Sequence, residues 1–108
     1  FSIDESEFEK CKLEAQYLNE FNAPFVKESK LKMAIKLQEI VDIKINSCKL
    51  IIGSIEHLYV DEHALEENGQ VNLQKLETVA IGGLNSYYGL NQIGQFPYAR
   101  PNELPDFD

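Results

Sequence analysis

Four aromatic side chains, Tyr87, Tyr88, Phe96 and Tyr98, fall within twelve residues near the end of this 108-residue chain, and Arg100 follows them. Aromatic rings present flat apolar faces, tyrosine adds a polar tip, and the guanidinium group is a planar cation that stacks on rings or grips an anionic edge. Together they suit a flat conjugated ligand with charged edges. Gly82 and Gly83 stand just before them. Lacking a Cβ, such a pair lets the backbone come close to a bound group. A plainer reading is equally open: a turn at the glycines and a coil whose aromatics pack over the end of a β-barrel.

Other chemistry finds less support. His57 and His63 lie among carboxylates in "EHLYVDEH", but six positions apart. Ligands on one strand face need a spacing of two, and no zinc motif has this pattern, so no metal is expected. Ser47, Ser54 and Ser86 lack the Gly-x-Ser-x-Gly context of an activated nucleophile. "IGGLN" is neither a dinucleotide fingerprint nor a P-loop. No catalytic residue is assigned.

The net charge is −8. Nucleic-acid affinity rests on Lys and Arg neutralising phosphates, so this balance disfavours nucleic acid and an anionic membrane surface. No apolar run reaches the roughly 20 residues of a membrane-spanning helix, and no signal peptide opens the sequence. Cys11 and Cys48 are far apart and outside any Cys-x-x-Cys pattern, as expected of reduced thiols. A cytoplasmic protein is the expectation. The first residue is Phe1 and not methionine, which suggests part of a longer chain.

The elements that must carry these residues follow from periodicity. From Leu31 to Ile45, seven of eight odd positions are apolar, and from Lys32 to Asn46 six of eight even positions are polar. This period of two predicts a strand with one face on a core. Its length calls for a bend or bulge near Gln38–Glu39. "INSCK" reads as a turn, and "KLIIGSIEHLYV" as an interior strand returning antiparallel, with Gly53 at a bulge or close approach. Odd-numbered side chains from Leu31 to Ile45 are expected to line a closed β-cylinder. Asp4 with Glu7 suggests a helix cap, Leu13–Phe21 a second helical stretch ended at Pro24, and Leu73–Glu77 a short helix. Asn68-Gly69 signals a turn. "TVAIGG" reads as a short strand. After Leu84, Gly89, Gly94, Pro97, Pro101 and Pro105 predict irregular chain. Long alternating strands with small helices indicate a mainly β barrel or α+β fold.

Taken in order, "ESKLKMAIKLQEIVDIKI", "KLIIGSIEHLYV", "GQVNLQKLETVAIGGLNSYY" and "FPYARP" resemble the C-terminal half of the flavin reductase-like family, the FMN-binding split-barrel proteins that include flavoredoxin. The counterparts are Glu28-Ser29, Gly53 to His57, Glu77 to Val79, Gly83 to Tyr87 and Tyr98 to Pro101. The resemblance covers about two-thirds of the chain. It implies an antiparallel Greek-key split barrel with short helices, residues 1–108 forming the C-terminal part of one such domain. It further implies a homodimer holding FMN non-covalently near the subunit interface. Some members reduce free flavin with NADH or NADPH; others carry electrons on a held FMN. The earlier half of a member supplies most contacts to the flavin phosphate, and that half has no counterpart here. By the same resemblance, Gly83, Leu84, Tyr87, Tyr98 and Arg100 lie near the flavin or the dimer contact. His57 matches a strand histidine with a structural or substrate-side role. The alternative is a split-barrel relic or interaction domain without flavin.

Overall fold

The computed structural model describes residues 2–104. Phe1 and Pro105 lie outside the described residues. The chain divides into two compact units, Phe1–Val71 and Asn72–Asp108.

The first unit opens with a one-turn helix, α1 (Glu7–Lys10). Its N-cap is Ser6, which makes no side-chain capping bond, so the expected Asp4 cap is not the one used. Strand β1 (Ala15–Gln16) then pairs antiparallel with β2 (Phe25–Val26). The helix expected over Leu13–Phe21 is therefore a short strand and turns. Lys12, Asn19 and Glu20 take positive φ (55°, 49° and 57°), which no right-handed helix tolerates. Side chains close the base of this hairpin: the Glu14 N–H donates to the Glu28 carboxylate at 3.0 Å, and Lys27 Nζ donates to Glu14 Oε1 at 2.9 Å.

Strands β3 (Leu31–Ile43) and β4 (Cys48–Val60) form a long antiparallel ribbon. The turn between them uses the residues expected of it. Asn46 Oδ1 accepts from the Cys48 N–H at 3.1 Å, and Ser47 adopts φ 57°. Asp42 and Lys49 stand opposite each other and form an ion pair.

The register slips twice. Gln38 on β3 and Glu56 on β4 are skipped in the pairing, each a β-bulge. The two bulged side chains meet through Ser54, whose Oγ accepts from Gln38 Nε2 at 2.9 Å and donates to Glu56 Oε1 at 3.3 Å. Gly53 is the expected close approach: a Cβ built there would lie 2.1 Å from Ile35 Cγ2 and 3.2 Å from the Lys36 carbonyl oxygen.

The bulge at Gln38 corrects the expectation for the odd positions. Leu31, Met33, Ile35 and Leu37 share a face with Val60, Leu58, Ile55 and Gly53, but beyond the bulge Glu39, Val41 and Ile43 fall on the opposite face. Ile45 lies past the end of β3 and is 95% exposed. Among the described residues each sheet has two strands, so β4 has one neighbour and hydrogen bonding closes no cylinder. Met33, Ile35 and Leu37 are about half exposed in consequence.

The core of the first unit is small. Phe25, Ala34 and Ala64 are buried, the two alanines completely. Phe25 packs edge-on against Tyr59, with ring centroids 5.5 Å apart, and Phe21 lies 5.8 Å from Phe25. Asn19 Nδ2 donates to the Tyr59 hydroxyl and ties the loop after β1 to the ribbon. Past β4 come a single 3-10 turn (Glu62–Ala64) and the expected Asn68-Gly69 turn, where Gly69 has φ +84°.

The second unit contains the hairpin of β5 (Val79–Gly82) and β6 (Ser86–Gly89). Residues 73–77 form consecutive turns and not the expected helix. The stretch after Leu84, expected to be irregular, first makes strand β6 and is non-repetitive from residue 90 onward. Leu76 is its buried apolar side chain.

Candidate functional site

The β5–β6 hairpin gathers three of the five residues singled out from the sequence. Gly82 pairs with Ser86, which leaves Gly83, Leu84 and Asn85 as the loop. Gly83 has φ +64°, a conformation glycine reaches without steric cost, and a Cβ there would meet nothing within 4 Å. The loop thus turns a bare backbone to open space, with Leu84 fully exposed at its tip. Because the site around Gly83 is roomy, Gly83→Ala is expected to cost only the backbone term, about 1 kcal/mol. Thermal denaturation should show a fall of a few degrees, and an unchanged midpoint would refute the left-handed turn.

Strand alternation sets the two faces. Ile81 stands opposite Tyr87, and Val79 opposite Gly89, so Val79, Ile81 and Tyr87 share one exposed apolar face. Tyr88 points the other way and lies over Gly82, where a Cβ would come 3.0 Å from its ring. One hairpin therefore shows an aromatic ring on each face.

Tyr98 and Arg100 lie further on, in the non-repetitive segment. Both are exposed, and no hydrogen bond or ring contact among the described residues joins their side chains to the hairpin. The structure brings Gly83, Leu84 and Tyr87 together on one hairpin, and Tyr98 and Arg100 belong to the segment that follows it. Arg100 is the only arginine in the chain.

Features that no spacing rule pointed to lie beside the hairpin. Asn72 Oδ1 accepts from the Lys75 N–H at 3.0 Å, and Gln74 Oε1 accepts from the Gln92 N–H at 3.0 Å. Amide side chains are common on surfaces and carry no motif of their own, so a single sequence gives no signal for this cluster.

His57 belongs to the first unit, on β4 opposite the buried Ala34, with its ring 6.3 Å from that of Tyr59. It stands at the end of the Phe21–Phe25–Tyr59 aromatic run. His63 Nδ1 lies 3.9 Å from Asp61 Oδ2. Among the described residues no group of three or more His, Cys, Asp and Glu side chains is placed to hold a metal ion, and no helix is long and apolar enough to cross a membrane. Cys11 and Cys48 are both exposed free thiols.

What the hairpin offers fits a flat aromatic group. A bare turn, an apolar strip and a phenol ring can cover one side of a ring system, and the phenol hydroxyl can meet a polar edge. No acid–base pair stands among these residues.

Neither a family model nor a curated protein sequence matches the chain. Solved structures do. A flavin reductase with a split-barrel domain from Shewanella frigidimarina NCIMB 400 is 45% identical, with a TM-score of 0.86 over 92% of this chain and 50% of that one. Nitrilotriacetate monooxygenase component B from Bacillus cereus is 26% identical, with a TM-score of 0.75 over 88% of this chain and 48% of that one. Flavoredoxin of Desulfovibrio vulgaris (Miyazaki F), at 22% identity, shares the fold, with a TM-score of 0.70 over 86% of this chain and 49% of that one. The chain thus spans about half the length of each of these proteins. In sequence and in fold it is of the flavin reductase-like split-barrel kind, about half of such a protein in length.

Proposed function

We propose that this chain is part of an FMN-binding oxidoreductase, a flavin reductase or a flavoredoxin-like electron carrier. NADH or NADPH would be the electron donor. The observation that carries this reading is the 45% identity to a split-barrel flavin reductase over 92% of the chain. The hairpin supports it, because its exposed ring, apolar strip and bare turn suit an isoalloxazine.

Hydride and electron chemistry would come from the flavin. The residues of this chain would hold and orient it. In this reading the Gly83–Leu84 turn approaches the ring edge, Tyr87 lies against a face, and Tyr98 and Arg100 complete the pocket or the contact with a second subunit. Residues 1–108 are then the C-terminal part of one split-barrel domain. The open faces of the β3–β4 ribbon have a natural place in such an assembly. Side chains such as Ile51, Ile55 and Leu58 are about half exposed, and a partner surface that covered them would stabilise the whole at about 25 cal/mol per Å² of apolar area removed from water.

Titration with FMN tests the proposal. Added FMN is expected to lose fluorescence with a micromolar or tighter midpoint, and the loaded protein to sediment at twice its own subunit mass. A colourless protein that leaves FMN fluorescence unchanged would instead fit a split-barrel relic or interaction domain. Flavin uptake by a species of single-chain mass would remove the dimer from the proposal.

A further inference from the structure

The residues carrying Tyr98 and Arg100 leave strand β6 without a ladder to hold them. From residue 90 to residue 100 no regular element forms. Such a segment would sweep a wide volume unless something fixes its start, because each residue adds up to about 3.5 Å of reach.

The start is fixed at Gln92, by both its main chain and its side chain. The Gln92 N–H donates to Gln74 Oε1 at 3.0 Å, and Gln92 Oε1 accepts from Asn72 Nδ2 at 3.5 Å. The receiving turn is itself held in shape. Asn72 Oδ1 accepts from the Lys75 N–H at 3.0 Å, the Glu77 N–H donates to the Gln74 carbonyl at 3.0 Å, and the Thr78 N–H donates to the Leu73 carbonyl at 3.2 Å. Thr78 is followed at once by β5, so the turn that grips Gln92 is continuous with the hairpin bearing Gly83 and Tyr87. Four residues beyond Gln92, Phe96 folds its ring back over Gly94, where a Cβ would lie 3.0 Å from Phe96 Cζ.

The geometry points to Gln74 and Gln92 as positioning residues. They fasten the start of the segment after β6 to the turn before β5, and so shorten the free run that carries Tyr98 and Arg100. The effect on a ligand follows from preorganisation. A segment already held in place gives up less freedom when it closes on a bound group. This role rests on the flavin reading only where flavin is the readout.

The test uses Gln74→Ala, which removes the acceptor, and Gln74→Glu, which keeps an oxygen in its place. In the flavin-free protein, amide hydrogen exchange at Gln92 is expected to speed up in Gln74→Ala and return toward normal in Gln74→Glu, with the β5 and β6 amides unchanged. FMN affinity is expected to fall roughly fivefold in Gln74→Ala, the scale of one exposed hydrogen bond. In a chain that already carries Tyr98→Ala and Arg100→Ala, adding Gln74→Ala should weaken binding no further, because a positioning residue then has nothing left to position. Unchanged Gln92 exchange in Gln74→Ala overturns the anchor, and so does a further loss of affinity from Gln74→Ala in the chain lacking both the Tyr98 ring and the Arg100 guanidinium. Should the unaltered protein take up no flavin, the functional reading falls, and the exchange measurement alone decides the anchor.

Discussion

Gly53→Val is expected to destabilise the first unit by about 2–3 kcal/mol, the scale of forcing extra carbon atoms into a filled space. The reason is local and steric. A Cβ at position 53 would sit 2.1 Å from Ile35 Cγ2 and 3.2 Å from the Lys36 carbonyl oxygen. The first neighbour is a β-branched side chain with few rotamers to retreat to, and the second is backbone. The melting midpoint should drop by roughly 10 °C or more. Because Ile35 is the obstacle, Ile35→Ala in the same chain should recover part of the loss of Gly53→Val. A variant Gly53→Val that melts with the unaltered protein would show that the ribbon does not pair as described.

Arg100→Ala is expected to weaken FMN binding by about 10- to 100-fold, the worth of one charge-assisted hydrogen bond to an anionic ligand. The size follows from scarcity of positive charge. The chain carries a net charge of −8, and from Asn72 onward its cations are Lys75 and Arg100 alone. An anionic cofactor approaching the second unit meets few groups that favour it, so removing one has a large effect. Arg100→Lys keeps the charge and loses the planar fork, so its loss should be smaller. Fluorescence titration of both variants measures this directly. Equal affinity in Arg100→Ala and the unaltered protein would remove Arg100 from the proposed pocket.

The β3–β4 ribbon was the most legible part of the sequence because its signal is repeated. One slip in a period-two pattern displaces every later side chain to the other face, so the pattern itself names the strands. The length of the run called for a bend or bulge near Gln38–Glu39, where the register does slip, and Asn46-Ser47 marked the turn by side-chain chemistry. The shorter elements were less legible for a physical reason. Ala15–Gln16 is a strand because Phe25–Val26 is there to pair with it, and nothing within Leu13–Phe21 announces that partner. Leu73–Glu77 has helix-forming residues and Asn72 accepts from the Lys75 N–H as a helix cap would, but Glu77 turns left-handed at φ 56° and the chain closes into turns. The glycines and prolines after Leu84 obscured β6, whose pairing with β5 needs only Ser86 to Gly89. Of the candidate site, the Gly83 turn and the Tyr87 ring could be read from residue types. The Gln74–Gln92 bond could not, because it joins residues eighteen positions apart through groups that suit many roles.

The paired bulges also govern what else the ribbon could bind. Among the described residues the outer rims of β3 and β4 lack a third strand, and an apolar rim of that kind is a template for runaway fibre growth. Here the kink at Gln38 divides one rim and the kink at Glu56 divides the other, so neither offers a straight line of donors and acceptors along its full length. A stray extended peptide would lose registry partway along. A surface contoured to the same two kinks would keep it.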